Sequence, residues 1–131
     1  MTTNTARMLL GLVVVSALAA CMRTAPIYNV SDMPIVASKP DPTVDDVRKA
    51  IIRAGATLGW QMTESKPGLI VGTLILREHQ AIVDVNYTPK TYSINYNNST
   101  NLNYDGQTIH KNYNGWIMNL DRAIRAQLMT L

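Results

Sequence analysis

Residues 43–59 repeat apolar side chains at the 3.6-residue period of an amphipathic helix. Thr43 stands where an N-cap is needed, and Asp45 and Asp46 follow in the first turn, where carboxylates interact favourably with the helix dipole. Gly59 is placed to end the helix. The side chains expected on its buried face are Val44, Val47, Ile51 and Leu58. The pattern therefore predicts a surface helix that packs on an apolar layer.

After this helix the period changes to two, and four consecutive segments are typical of strands. The segments are WQMTES, LIVGTLILRE, QAIVDVNYT and YSINYN. The second is apolar on both faces, whereas the third and fourth alternate and direct one set of side chains inward. That inward set is Ala81, Val83, Val85, Tyr87, Tyr92, Ile94 and Tyr96. Turn signals at residues 66–68, 78–79 and 88–91 separate the strands, so we expect an antiparallel meander.

A second helical repeat covers residues 109–128. Its apolar stripe consists of Tyr113, Ile117, Leu120, Ile124 and Leu128. The order of helix, four-stranded antiparallel meander and helix indicates an α+β two-layer sandwich. We expect both helices to cover the sheet face that carries Val83, Val85 and Ile94. The prediction is one folded domain over residues 43–131.

The chain before residue 43 has a pattern that indicates targeting rather than folding. Residues 8–20 form an unbroken run of apolar and small side chains behind Arg7. These 13 residues are too few to cross a bilayer, which needs about 20, but they suit the apolar core of an export signal. Four prolines then interrupt residues 22–42. That segment predicts a solvated tether, with PIYNV as a short edge strand.

The export signal ends at the only cysteine in the chain. Leu18-Ala19-Ala20-Cys21 resembles the lipobox of bacterial lipoproteins, with Leu followed by two small residues and then Cys. The resemblance implies that the signal peptide 1–20 is removed, that the Cys21 sulfur receives a diacylglycerol, and that the new amino group is acylated. Residues 21–42 would then be a lipidated tether. The alternative is ordinary signal cleavage, which leaves a free thiol.

The residues after the cysteine and the overall charge restrict the location and the partners. In enterobacterial lipoproteins an Asp just after the cysteine favours the inner membrane, whereas this chain has Met22 and Arg23. The resemblance therefore implies lipid attachment to the outer membrane, facing the periplasm. The chain has 12 Lys and Arg against 9 Asp and Glu, and the bases are scattered. Nucleic-acid binding needs clustered bases on one face, so we exclude it.

The sequence has no motif that indicates catalysis or a metal centre. His79 and His110 are the only histidines, and zinc or copper sites usually need three or four ligands. G-x-S-x-G and S-x-x-K motifs are absent, so we assign no catalytic residue, no metal ligand and no cofactor. The alternative function is a small periplasmic enzyme or metal-binding protein that uses His110, Asp84 and a tyrosine hydroxyl.

Asn, Tyr, Ser and Thr are concentrated between residues 91 and 116, in a chain without Phe. Tyr and Asn are favoured at recognition surfaces because they combine rigid contact area with adaptable hydrogen bonds. The polar sheet face and loop predicted to bind a partner comprise Gln80, Asp84, Asn86, Ser93, Asn95, Asn97, Asn103 and Tyr104. The competing interpretation is structural, with Tyr92 and Tyr96 in the core and residues 98–106 in a hydrogen-bonded loop.

Three motifs support a further resemblance, namely YSINY at residues 92–96, NLNYDG, and IHKNYNGWI. Together with the lipobox, they resemble a family of small proteobacterial lipoproteins of unassigned function, over about residues 60–128. The resemblance implies a cell-envelope setting and an α+β domain, and it brings no catalytic or ligand residues. We expect a non-enzymatic binding or structural module, held to the membrane by its lipid. Its expected partner is an envelope protein or, as a second choice, peptidoglycan.

Overall fold

The computed structural model describes residues 23–131. The predicted signal peptide, the lipobox and Cys21 lie outside the described residues. Among the helices of residues 23–131, none is both long and apolar enough to cross a membrane.

Within the described chain, two α-helices and antiparallel strands confirm the α+β class. In chain order the elements are β1 Thr24–Pro26, β2 Val30–Pro34, α1 Val44–Thr57, β3 Gln61–Lys66, β4 Leu69–Leu76, β5 His79–Tyr87, β6 Thr91–Thr100, β7 Thr108–His110 and α2 Lys111–Leu128. The main sheet has the order β2-β6-β5-β4-β3, and β1 pairs with β7 in a separate sheet. Strands β3 to β6 form an antiparallel meander, since each pairs with the next along the chain.

The N-terminal segment expected to be a free tether joins the fold. Strand β1 pairs with β7 through Thr24 and His110, and β2 adds an edge strand to β6 through Val30 and Ile94. Prolines end both strands, and a proline is tolerated at a sheet edge because its missing N–H breaks no ladder bond there. The domain start expected at residue 43 is therefore wrong, because β1 and β2 precede it and belong to the fold.

Helix α1 begins as predicted, but its buried face differs from the expected one. Thr43 and Asp46 form a capping box, in which each side chain accepts a hydrogen bond from the backbone N–H of the other. Val44 and Leu58, expected inside, are exposed. The buried residues are Val47, Ala50, Ile51, Ala54 and Gly55. Small side chains dominate this face because α1 packs closely against α2.

Two further elements depart from the sequence pattern. Helix α2 starts at Lys111, later than predicted, because residues 108–110 form β7. Strand β4, expected to be buried on both faces, is covered on one face only. Its last two side chains, Ile75 and Leu76, are 66% and 46% exposed. The apolar run of β4 therefore ends in a partly uncovered hairpin.

The core lies between the sheet and the two helices. Its largest fully buried side chains are Tyr92, Tyr113, Ile51, Ile70, Ile94, Leu102, Ile109, Ile117, Leu120, Ile124, Leu128 and Val47. The Tyr92 hydroxyl donates to Asp121 Oδ1 on α2, and Arg125 donates to the other oxygen of that carboxylate at 3.0 Å. Burial and the neighbouring carboxylate raise the pKa of Tyr92, so its hydroxyl remains a donor and connects β6 to α2.

Candidate functional site

The face of the main sheet turned away from the helices carries most of the predicted binding residues. Asp84 of β5 lies opposite Asn95 of β6, and Asn86 lies opposite Ser93. These positions alternate with buried side chains, so the four point away from the core. Gln80 lies near the end of the same face, opposite Thr100. We define the open face by Gln80, Asp84, Asn86, Ser93, Asn95 and Asn97.

Asn97 reaches the open face through a bulge in β6. The pairing of β5 with β6 skips this residue, which leaves it as the extra one on its strand. Its Nδ2 donates to Asp84 Oδ1 at 2.9 Å. Beyond the bulge the alternation of β6 is reversed, because Ser99 turns to the helix side and its Oγ lies 2.8 Å from the Tyr96 hydroxyl oxygen. The bulge therefore groups the polar side chains around Asp84.

Apolar side chains border these polar groups. Val71 lies opposite Asp84 on the neighbouring strand, and Leu69 lies opposite Asn86. Both apolar side chains are half-buried. A shallow hollow of about 300 Å³ lies at this end of the open face, lined by Asp32, Gly68, Asn86, Tyr87, Thr88, Thr91 and Ser93. The open face thus offers hydrogen-bonding amides and hydroxyls beside apolar contact area.

The two loop residues of the predicted surface lie in a second patch. Tyr104 stacks on Tyr96, with ring centroids 4.0 Å apart. Asn103 lines a hollow of about 450 Å³ beside the same two rings. Tyr96 lies opposite Val83, whose side chain is buried under the helices, so the stacked rings lie on the helix side of β6. The sheet face and the loop are therefore adjacent surfaces rather than one.

Hydrogen bonds organise the loop, as the structural interpretation of this segment expected. The Asp105 carboxylate accepts from the backbone N–H groups of Gln107 and Thr108, and these bonds hold the pKa of Asp105 below its ordinary value. Tyr113 packs edge-on to Tyr96 with ring centroids 5.9 Å apart. In the part of the chain that the structure describes, the Tyr113 hydroxyl is the one buried side-chain group that lacks a hydrogen-bond partner.

The two histidines meet, but not with the carboxylate expected for an enzyme or metal carrier. The ring centroids of His79 and His110 are 6.0 Å apart, and Trp116 lies 6.3 Å from His79. This cluster is on the helix side of the sheet, whereas Asp84 points to the open face. The proposed pairing of His110 with Asp84 is therefore wrong.

Hydrogen bonds determine which nitrogen of each imidazole remains free. His79 Nδ1 lies 2.8 Å from the Asn101 carbonyl oxygen, which can only accept, so this nitrogen bears a proton. His110 Nδ1 accepts from the Asn112 N–H, which puts the proton of the neutral ring on Nε2. In the neutral rings, the lone pair on His79 Nε2 is then the one that no hydrogen bond among the described residues occupies. Across residues 23–131, no three His, Cys, Asp or Glu side chains are grouped to hold a metal ion.

No protein-family model, curated protein or solved structure matches the chain. The likeness to small proteobacterial lipoproteins therefore remains a prediction from the sequence. The sequence analysis did not predict that His79 and His110 lie close together, because their separation along the sequence matches neither a helical nor a strand period. One signal could have indicated their proximity. Each histidine stood at the predicted end of a helix or strand, and the ends of helices and strands lie together at the ends of a two-layer domain.

Proposed function

We propose that the mature chain is a non-enzymatic binding module, anchored in the outer membrane through a lipid on Cys21 and facing the periplasm. Its partner is an envelope protein, with peptidoglycan as the second choice. The lipobox supports the anchor. The observation that supports binding is the open face, a sheet surface turned away from the helices whose amide-rich side chains are exposed or half-buried.

The composition of the open face favours recognition over a merely solvated surface. Asn is depleted in β-strands, yet Asn86, Asn95, Asn97 and Asn98 all lie in β5 and β6. Strand formation alone would favour Thr or Val at these positions. Each Asn amide can donate two hydrogen bonds and accept two, which suits a partner with mixed polar groups. Asn97 donates to Asp84 and Asn98 accepts from the Ser99 N–H, whereas the described residues give the amides of Asn86 and Asn95 no hydrogen-bond partner. The amides of Asn86 and Asn95 are therefore the ones available to a partner.

The size of the open face suits a weak contact made at a membrane. Five strands about 4.8 Å apart and about 20 Å long give the whole sheet face roughly 500 Å². Each partner in a stable complex contributes about 800 Å². A module confined to the membrane compensates for weak contacts through its high effective concentration. The anchor and the modest surface are therefore consistent with each other.

Crosslinking in intact cells tests the proposal. We expect the lipidated protein to yield one reproducible crosslinked partner, and the Cys21→Ala variant to lose it because the protein is no longer held at the membrane. Muropeptides crosslinked to the wild type would identify peptidoglycan instead of a protein. The absence of any specific product with crosslinkers of several lengths would contradict the proposal.

Substitutions on the open face locate the contact. Asn86→Arg and Asn95→Arg introduce a long charged side chain at exposed or half-exposed positions, and we expect each to reduce capture of the crosslinked partner at least tenfold. Asn119→Arg on the exposed side of α2 is the matched control and should capture normally. Thermal unfolding should show the same stability for all three variants. Wild-type capture by both open-face variants would refute the assignment of this surface.

A further inference from the structure

The described chain enters the fold at one end of the domain. The Lys111 N–H donates to the Arg23 carbonyl oxygen at 2.8 Å, and Thr24 pairs with His110. Arg23 is therefore fixed at the start of α2. Cys21 precedes it by two residues, which can span at most about 7 Å. On the proposed function, on which this inference rests, the lipid is thus attached almost directly to this end.

The β4–β5 hairpin lies at the same end. His79, its first β5 residue, is 6.0 Å from His110 between ring centroids. The hairpin is also connected to the β6–β7 loop, because Asn101 Nδ2 donates to the Glu78 carbonyl oxygen at 2.8 Å and the Asn101 carbonyl accepts from His79. The other two turns of the meander lie at the far end of the strands. The hairpin and the entry point of the chain therefore share one surface.

This surface combines exposed apolar side chains with positive charge. Ile75 and Leu76 are the exposed apolar side chains of the hairpin. Arg23, Arg77 and Lys111 are exposed at the same end of the domain, and none of the three takes part in an ion pair within the described residues. Glu78 is the acid of the hairpin tip. We define the anchor end by Arg23, Ile75, Leu76, Arg77 and Lys111.

We propose that the anchor end is a membrane-contact surface, in which Ile75 and Leu76 enter the interfacial region of the bilayer while Arg23, Arg77 and Lys111 bind the phosphates of anionic lipid headgroups. Apolar side chains flanked by Lys and Arg are the composition of surfaces that lie on membranes. Each base near an anionic surface strengthens the contact about fivefold. The short covalent connection to Cys21 holds this end, rather than another, at the bilayer.

The contact would orient the rest of the domain. The strands of the main sheet run away from the β4–β5 hairpin, so Asn86 is about 23 Å from His79 along β5. The open face would then stand roughly perpendicular to the bilayer and face sideways. A partner would approach it along the membrane surface.

An environment-sensitive fluorophore on single cysteines tests this arrangement in the mature, lipidated protein. Because the sulfur of Cys21 carries the lipid, Leu76→Cys or Lys90→Cys supplies the one thiol available for labelling with NBD. Lys90 lies in the β5–β6 turn at the opposite end of the strands. In vesicles of phosphatidylethanolamine and phosphatidylglycerol, we expect blue-shifted emission from position 76 and aqueous emission from position 90. Vesicles of phosphatidylcholine alone should give a smaller shift.

Charge variants in the Leu76→Cys background test the role of the bases. Arg77→Asn with Lys111→Gln removes two charges, and Asn suits the positive φ of 57° at residue 77. We expect the ratio of contacting to free domains to fall about 25-fold, at fivefold for each charge. Lys66→Gln with Lys90→Gln removes two exposed charges from the far end and should leave this ratio unchanged.

The possible outcomes separate this inference from the proposed function. Equal emission at positions 76 and 90, or equal effects of the two charge pairs, would overturn the membrane contact while leaving the anchor and the open face intact. A shift at position 76 that requires added envelope protein would assign the anchor end to a protein partner and would also overturn it. An intact mass without the diacylglycerol would instead remove the anchor, and with it both proposals.

Discussion

Tyr92 and Tyr113 are two core tyrosines that differ in the partner of their hydroxyl group. Tyr92 is 1% exposed and Tyr113 is 0% exposed. The Tyr92 hydroxyl donates to Asp121, whereas the Tyr113 hydroxyl has no partner among the described residues. Replacing each by Phe removes the same oxygen atom from a closely similar environment. We expect Tyr92→Phe to destabilise the domain and Tyr113→Phe to leave it unchanged or more stable.

The environment of each hydroxyl sets the size of the effect. Asp121 is 4% exposed, so losing the Tyr92 hydroxyl leaves a carboxylate oxygen that water cannot easily reach. Hydrogen bonds to charged groups contribute about 1.5–3 kcal/mol, and we expect Tyr92→Phe to cost that amount. Burial raises the pKa of Tyr113, as expected for a hydroxyl removed from water. Deleting this unpartnered group should change stability by about 0 to +1 kcal/mol.

Urea unfolding of the wild type and the two variants measures these differences. The matched chemical change cancels most of the difference in side-chain transfer, so the gap between the variants reports the hydrogen bond to Asp121. We expect a gap of about 1.5–4 kcal/mol in the free energy of unfolding, with equal slopes against urea concentration. Equal destabilisation by both variants, or a Tyr92→Phe cost below about 0.5 kcal/mol, would refute the reasoning.

Two further predictions concern helix α1. A Cβ on Gly55 would overlap the Met62 side chain, so we expect Gly55→Ala to lower the free energy of unfolding in urea by about 1–3 kcal/mol. Adding Met62→Ala to the same chain should relieve the overlap. A Gly55→Ala variant that is more stable than the wild type would contradict this. Hydrogen bonds from Lys39 and Thr43 lower the pKa of Asp46 from 3.8 to about 2. The contribution of the ionised Asp46 carboxylate to the stability of the fold is therefore complete above pH about 4 and is lost as the pH falls through about 2. Thermal unfolding of Asp46→Asn should show a weaker loss of stability across this range than the wild type, and parallel curves would refute the assignment.

Local patterns were sufficient for the elements whose signals lie within a few residues. The capping box at Thr43 needs only Thr43 and Asp46, and both were visible in the sequence. The meander followed from alternation and short turns, because each of its strands pairs with a neighbour along the chain. The buried face of α1 was harder to predict. The close packing of α2 selects Ala50 and Ala54 for the interior, although larger apolar side chains lie nearby.

Strands β1 and β2 were not predicted at their observed positions, because their stability comes from distant partners. The edge strand expected at residues 26–30 falls mostly on the connection between them. Thr24 pairs with His110, far along the chain, and neither segment indicates the other. In β2 the register shifts between Val30 and Met33, and Asp32 adopts a positive φ of 49°. This irregularity removes the alternation by which a strand is recognised. Prolines at the ends of both strands then suggested a tether, although sheet edges tolerate them.

The candidate site shows the same division between local and distant information. Alternation alone placed Asp84, Asn86, Ser93 and Asn95 on one face, and the register of β5 with β6 brings them together. The alternation could not show that Tyr104 lies on a different surface from these four residues. The bulge at β6 reverses the side-chain alternation, and the following loop returns to the helix side of the sheet.

The folding of the N-terminal segment also changes which partners can reach the open face. A free tether over residues 22–42 would give the domain a root-mean-square reach of about 25 Å. In the fold, Arg23 is fixed beside Lys111, and Cys21 is at most about 7 Å away. In the proposed arrangement, Asn86 would then lie within about 30 Å of the bilayer, at the far end of its strand. This geometry favours an envelope protein that is itself held at the membrane, because such a partner stays within that distance.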